Sequence, residues 1–263
     1  VLQRAIPILD VPVVSHGVDS DTYRPMEESV RAELRGELGI GDRFVVLSVG
    51  VNQIRKQYGT LLEAFAAFRK GKEDSVRLCI HGDAETSYGY DILRIASHYG
   101  FQDEIVFTNP QGHPAGLSTS QLSFVYNLAD VAVFPHCGEG FGLCHLEAMA
   151  CGIPVIAHGV TATPEIVRDG AGILVPTAQV PGPDGEMGDL KLYFPAGDRG
   201  KHRPLISLAD LVGAMETLYA DEDGRRKMGE AGREIATLPE FSWDTVAQRF
   251  DEILTEAAAT VGS

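Results

Sequence analysis

The sequence contains no apolar run approaching the roughly 20 residues that cross a bilayer. Its first residues form no charged-then-apolar leader. Both absences lead to the expectation of a cytoplasmic chain without a membrane span. Basic residues are scarce: 22 Lys and Arg stand against 37 Asp and Glu, for a net charge of -15. Nucleic acid and anionic membranes attract basic faces, so neither is expected as the main partner. A small anionic metabolite stays open, because a few locally gathered Arg or Lys residues suffice to hold it. Cysteine is also sparse, with Cys79, Cys137, Cys144 and Cys151 the only four. They read as buried thiols rather than a disulfide framework. The spacing C-x6-C-x6-C, with His136 and His145 alongside, matches no zinc pattern, so no metal is expected. There is no Gly-Lys-Ser/Thr phosphate loop and no G-x-G-x-x-G after the first strand. That argues against a triphosphate hydrolase and against a simple NAD-binding domain.

What remains is ordinary for a soluble globular protein: 44% apolar and 22% charged residues over a length of 263. Residues 1–43 are mixed, with a short edge strand expected at 11–14 and a helix at 27–38, stopped by Gly39. Strands are then expected at 44–49, 76–80, 105–107, 131–134, 153–157 and 172–175, where Val and Ile concentrate. Helices are expected between them at 58–69, 90–99, 118–128 and 143–150. Thr60/Glu63 and Ser118/Gln121 have capping-box spacing, and Thr163-Pro164-Glu165 reads as a helix start capped by Thr163. Residues 177–204 interrupt the rhythm with glycine, proline and a basic run ending at Arg203, and read as a mobile surface insertion. Helices resume at 207–219, 224–237 and 243–258. Apolar strands spaced by helices imply a mostly parallel sheet covered on both faces. The expected fold is α/β: a Rossmann-like, doubly wound parallel sheet with C-terminal helices.

One stretch concentrates the chemistry. Asp130 to Phe134 leads into a loop with Gly138, Gly140 and Gly142, followed by a short helix stopped by Gly152 and Pro154, and then a second strand. Such loops lie at the carboxyl ends of strands, where open α/β sheets bind ligands, and the helix start presents N–H groups suited to phosphate or sugar hydroxyls. Glu139 sits in the loop and Glu147 in the helix, eight positions apart. Taken singly, Glu139 is an acid complementing a helix dipole and Glu147 a solvated helix residue. Taken together, they offer carboxylate acceptors for paired hydroxyls, as in the dinucleotide folds. Arg55 and Lys56 follow the first strand at its carboxyl end. Read blandly, they form a solvated basic turn; in an acidic protein they suit an anion.

The segment from Glu139 through Glu147 to Val155 resembles the E-x7-E motif of the retaining glycosyltransferases of family 4, which have the two-domain GT-B fold. Residues 122–135 resemble that family's approach to the motif and 164–176 its exit. Residues 17–25 resemble the segment leading into its C-terminal domain, and Phe241-Ser242-Trp243 the start of its last helix. The likeness covers nearly the whole chain outside 177–204. It implies that the chain is the donor-binding half of a GT-B enzyme, transferring a hexose from a GDP- or UDP-sugar to an acceptor hydroxyl with retention. Glu139 is then the carboxylate of the catalytic site, on the donor sugar's hydroxyls, and Glu147 holds the ribose. The backbone of Gly140, Phe141, Gly142 and Leu143 faces sugar and diphosphate, while Arg55, Lys56 and Asn52 serve the phosphates. The family's usual Arg just after the glycine is replaced here by Val51 and Asn52. Thr108, opening the loop after the third strand, is assigned to the base.

No metal or other cofactor is implied; no Asp-x-Asp occurs near the expected diphosphate site, and the one at Asp19 and Asp21 lies in the entry segment. The chain begins at Val1 rather than Met, and the expected organisation is a linker segment at 1–43, a nucleotide-sugar-binding domain at 44–240, and a C-terminal helix and tail at 241–263. An acceptor-binding N-terminal domain of the same protein is the expected partner, without which the chain is expected to be inactive. A GT-B phosphorylase or sugar-phosphate synthase would share this half, and a non-catalytic nucleotide-sugar-binding module is the alternative from another class.

Overall fold

The computed structural model describes residues 12–108, 116–182, 185–194 and 201–261. Six parallel strands form its centre: β1 Phe44–Val49, β2 Val76–His81, β3 Ile105–Phe107, β4 Val131–Phe134, β5 Val155–His158 and β6 Gly172–Val175. Their order is β3-β2-β1-β4-β5-β6, so chain direction across the sheet reverses between β1 and β4. Every residue of β1, β4 and β5 is buried, as expected of strands covered on both faces. Alternate residues divide between two cores. Val45, Leu47 and Val49 face one cluster with Tyr126, Leu146, Met149 and Ile235. Phe44 and Val46 face the other, with Leu61, Phe65, Phe68, Leu211 and Met215.

Among the described residues, nine helices cover the sheet or extend from it: α1 Glu28–Glu37, α2 Tyr58–Phe68, α3 Ile92–His98, α4 Thr119–Asn127, α5 Leu143–Ala150, α6 Thr163–Ile166, α7 Leu208–Ala220, α8 Glu222–Ala236 and α9 Trp243–Val261. The Ser118/Gln121 capping box forms in full. The Thr60/Glu63 box does not, because α2 is capped three residues earlier. Its cap is Gln57, in the left-handed region at φ 52°, whose side chain is engaged elsewhere. Ala162, not Thr163, caps α6. Residues 12–14 are irregular rather than strand, with Val13 exposed; Val11 lies outside the described residues. All four cysteines are free thiols, and only Cys144 is less than buried.

The insertion, expected as an irregular loop, contains regular structure. Its described residues form two antiparallel ribbons, β7 Gln179–Pro181 with β8 Met187–Asp189, and β9 Lys191–Phe194 with β10 Lys201–Pro204. Alternation in this stretch is masked by its glycines and prolines. The chain's first described segment and α9 pack together: Val18 N–H donates to Phe241 O at 2.8 Å, and a Cβ on Gly17 would strike the Trp243 ring at 2.6 Å. Among the described residues no helix is long and apolar enough to cross a membrane.

Asp130, just before β4, ties the layers. Its Oδ2 accepts Val45 N–H at 2.7 Å and lies 3.4 Å from Arg35, while Oδ1 pairs with Arg31 at 2.8 Å. Asp130→Ala would leave the buried Arg35 without its carboxylate. Urea denaturation is expected to show a loss of about 3 kcal/mol, against little change for Glu28→Ala on the exposed side of Arg31.

Candidate functional site

The site forms at the reversal point, from the loops that leave the carboxyl ends of β1 and β4. After β1 the chain makes a 3-10 turn, Ile54–Lys56. After β4 it runs through Pro135, His136 and Cys137 into the glycine loop. Backbone geometry zips the two together: Cys137 N–H donates to Arg55 O at 2.9 Å, and the Arg55 guanidinium donates to Gly138 O at 2.8 Å. Gln57 completes the seam by donating to Pro135 O at 2.7 Å.

Glu139 is the centre of this seam. Its Oε1 lies 2.5 Å from Lys56 Nζ, 2.6 Å from His136 Nδ1 and 3.5 Å from Arg55 Nη1. Burial opposes its ionisation, but the His136 hydrogen bond and the Lys56 charge outweigh it and hold the carboxyl well below the usual carboxylate range. His136 is itself buried. Burial pushes it down to about 4; the bond to Glu139 opposes this and the Lys56 charge adds to it. The consistent assignment is a neutral ring donating its Nδ1–H to a carboxylate whose counter-charge is Lys56.

Phe141 turns toward His16 and Phe241, with ring centroids 5.1 and 6.3 Å away. Gly142 then adopts φ 107°, a conformation other residues rarely take, and α5 starts without a side-chain cap. Its first N–H groups are thereby left for an outside acceptor. Gly140 and Leu143 are exposed at this end. Glu147, one turn further, is not a solvated helix residue. Tyr126 O–H donates to its Oε2 at 2.7 Å. Burial raises its carboxyl, with hydrogen bonds from Tyr126 and Tyr23 partly offsetting this. It opens onto a cleft of about 600 Å³ walled by Gly17, Tyr23, Leu143, Phe241 and Trp243. Glu139 is not in that wall. Asp19, Asp21 and Asp244 also line the cleft, which suits hydroxyl donors and disfavours phosphate. The cations lie across the glycine loop, at Glu139.

Two expected residues are placed differently. Asn52 is fully buried, its amide donating to Tyr90 O at 2.6 Å and Asp83 O at 3.1 Å and accepting Tyr90 N–H at 2.9 Å. It pins the loop after β2 and has no amide group left to reach a phosphate. Thr108 stands at the end of edge strand β3, two strands from β1, bonded to His81 at 2.8 Å. The rest of its loop, residues 109–112, lies outside the described residues. The structure adds three residues that sequence reasoning left out: His136, Tyr23 and Tyr126. The His136–Glu139 spacing of three was a usable signal; nothing local marks the tyrosines. Among the described residues no three His, Cys, Asp or Glu side chains gather as a metal-binding group.

Sheet order and the paired loops at its reversal point define a doubly wound α/β domain with its ligand edge at the carboxyl ends of β1 and β4. The family described as "Glycosyl transferases group 1" matches residues 30–181, and the chain belongs to it. A GDP-mannose-dependent alpha-(1-6)-phosphatidylinositol monomannoside mannosyltransferase of Mycobacterium tuberculosis is 30% identical over 257 residues, covering 94% of this chain and 56% of the relative. Sucrose-phosphate synthase of Thermosynechococcus elongatus superposes with a TM-score of 0.73 at 24% identity, covering 98% of this chain and 56% of that one. Anabaena Alr3699/HepE in complex with UDP-glucose does so at 0.72 and 21%, covering 93% and 57%. This chain thus spans about half the length of the proteins it resembles. These likenesses establish the fold as that of a GT-B glycosyltransferase domain.

Three buried histidines near the site, His136, His145 and His158, each keep one ring nitrogen without a hydrogen-bond partner among the described residues. Burial pushes them down to about 4, 3 and 4. A depressed histidine contributes stability that is complete above its unfolded pKa of about 6.5 and is lost as pH falls toward the folded value. Urea stability is therefore expected to fall between pH 7 and pH 4, by about 1–2 kcal/mol per histidine. His145→Asn should flatten the profile; an unchanged slope would show that His145 is not held neutral.

Proposed function

We propose that this chain is the donor-binding half of a retaining glycosyltransferase of family 4, which transfers a hexose from a nucleotide diphosphate sugar to an acceptor hydroxyl. The observation that carries the reading is the division of charge around the glycine loop. Arg55 and Lys56 stand on one side with Glu139, and Glu147 stands on the other in an acid-lined cleft, with the uncapped start of α5 between them. A diphosphate suits the first side and ribose hydroxyls the second. Glu139, ionised and within a hydrogen bond of Lys56, would place an acceptor for sugar hydroxyls beside the phosphate cation.

In the reaction the anomeric carbon–oxygen bond to the diphosphate breaks and a bond to the acceptor oxygen forms on the same face of the sugar. The acceptor hydroxyl's proton passes to the departing diphosphate oxygen. Arg55, Lys56 and the α5 N–H groups would stabilise the charge gathering on the leaving diphosphate, without a metal. The acceptor site belongs, on this reading, to an N-terminal domain of the same protein, and the 263-residue chain alone binds donor without turning it over. The mycobacterial relative is GDP-mannose-dependent and the Anabaena neighbour is in complex with UDP-glucose, so both donors belong in the test. In calorimetry, Glu147→Gln is expected to weaken binding of the preferred donor about tenfold. Glu230→Gln, which loses only an exposed pair with Arg226, should leave binding unchanged. Equal affinities for the two variants would sink the ribose assignment.

A further inference from the structure

Glu139 already neutralises much of Lys56, and the position after Gly50 holds Val51, which is exposed and uncharged. A doubly charged diphosphate would then rest mainly on Arg55. The insertion supplies a second guanidinium at the same place. A Cβ added to Gly138 would lie 2.6 Å from Arg203 Nη1, 3.0 Å from its Cζ and 3.5 Å from Nη2. The Arg203 guanidinium is thus packed onto the peptide whose carbonyl Arg55 holds at 2.8 Å.

This placement is built into the fold. Arg203 sits on β10 opposite Leu192, and three residues later the chain is anchored at buried Ile206. Ile206 N–H donates to Gln57 Oε1 at 3.4 Å, the side chain that also bonds Pro135 after β4. Ile206 bridges Thr177, whose hydroxyl lies 3.0 Å from His158 Nε2 at the end of β5. The insertion's return strand is therefore fastened to the two loops that make the site and to the end of β5 beside them. In a chain with a charge of -15, two guanidiniums on one glycine make a local basic spot suited to an anion. A side chain at residue 138 would push the Arg203 guanidinium off this place.

We propose that Arg203 of the insertion contacts the diphosphate of the donor, making the insertion part of the donor site. The proposal rests on the nucleotide-sugar reading above. It is tested by calorimetry with GDP, GMP, UDP and UMP on the wild-type chain and on Arg203→Ala, Arg203→Lys, Gly138→Ala and Lys201→Ala. Thermal unfolding checks that each variant is folded. For whichever base binds, Arg203→Ala and Gly138→Ala should lose about tenfold for the diphosphate and less than twofold for the monophosphate. Arg203→Lys should recover part of the loss, and Lys201→Ala, exposed on the same strand, should match wild type. Should a folded Gly138→Ala be unavailable, the Arg203 pair decides alone. Diphosphate affinity of Arg203→Ala equal to wild type, or an equal loss for mono- and diphosphate, overturns the assignment while leaving the nucleotide-sugar reading intact. A wild-type chain that binds none of the four overturns both.

Discussion

The carboxylate of Glu139 is the constraint on which the site depends. It lies within hydrogen-bonding distance of an ammonium and an imidazole that belong to the loops of two different strands. Removing a buried carboxylate from such a contact would leave Lys56 as an uncompensated buried charge, a situation folded proteins avoid. The two loops are consequently held together at the point where the sheet reverses direction, and the glycine run that follows must turn sharply into α5. Gly142 at φ 107° makes that turn, and the uncapped helix start is its product. One charge cluster thus sets the position of the cations, the loop and the helix end.

The same cluster explains why the two glutamates, similar in sequence, differ in character. Glu139 is driven to the ionised form by neighbours that outweigh its burial. Glu147 has only phenol hydroxyls for partners, and burial raises it. The first is fitted to stand beside cations and phosphate, the second to accept hydroxyls in a cleft already rich in acids. The glycine loop separates the two environments.

Much of this was legible in the sequence, and what was not has a common physical cause. Strands β1, β3, β4 and β6 and helix α5 fall where apolar runs and glycine stops put them; for the buried β1 and β4 this is because strands covered on both faces leave unbroken apolar runs. Glu139, Glu147, Arg55 and Lys56 stand out as charges where no core role exists. Their partners do not. Asn52 looked like a phosphate residue because it follows β1, but its amide satisfies the backbone of a loop 38 positions away. Thr60 has the spacing of a cap, yet Gln57 starts α2 earlier since its side chain is required between Pro135 and Ile206. His136 was given no role in the sequence, where no metal was expected of it, and the structure sets it on Glu139. Arg203 lay in a stretch without periodicity. Apart from His136 and Glu139, three positions apart, each miss is a contact between segments distant in sequence.

The most direct test of the central claim is a calorimetric comparison of a nucleoside diphosphate with its sugar-bearing form on the wild-type chain and on Glu139→Gln. UDP would be set against UDP-glucose and GDP against GDP-mannose. If Glu139 joins phosphate cation to sugar, the wild type gains affinity from the sugar. Glu139→Gln should bind the bare diphosphate at least as well, its Lys56 no longer neutralised, and gain nothing from the hexose. A Glu139→Gln chain that keeps the full sugar increment would contradict the account.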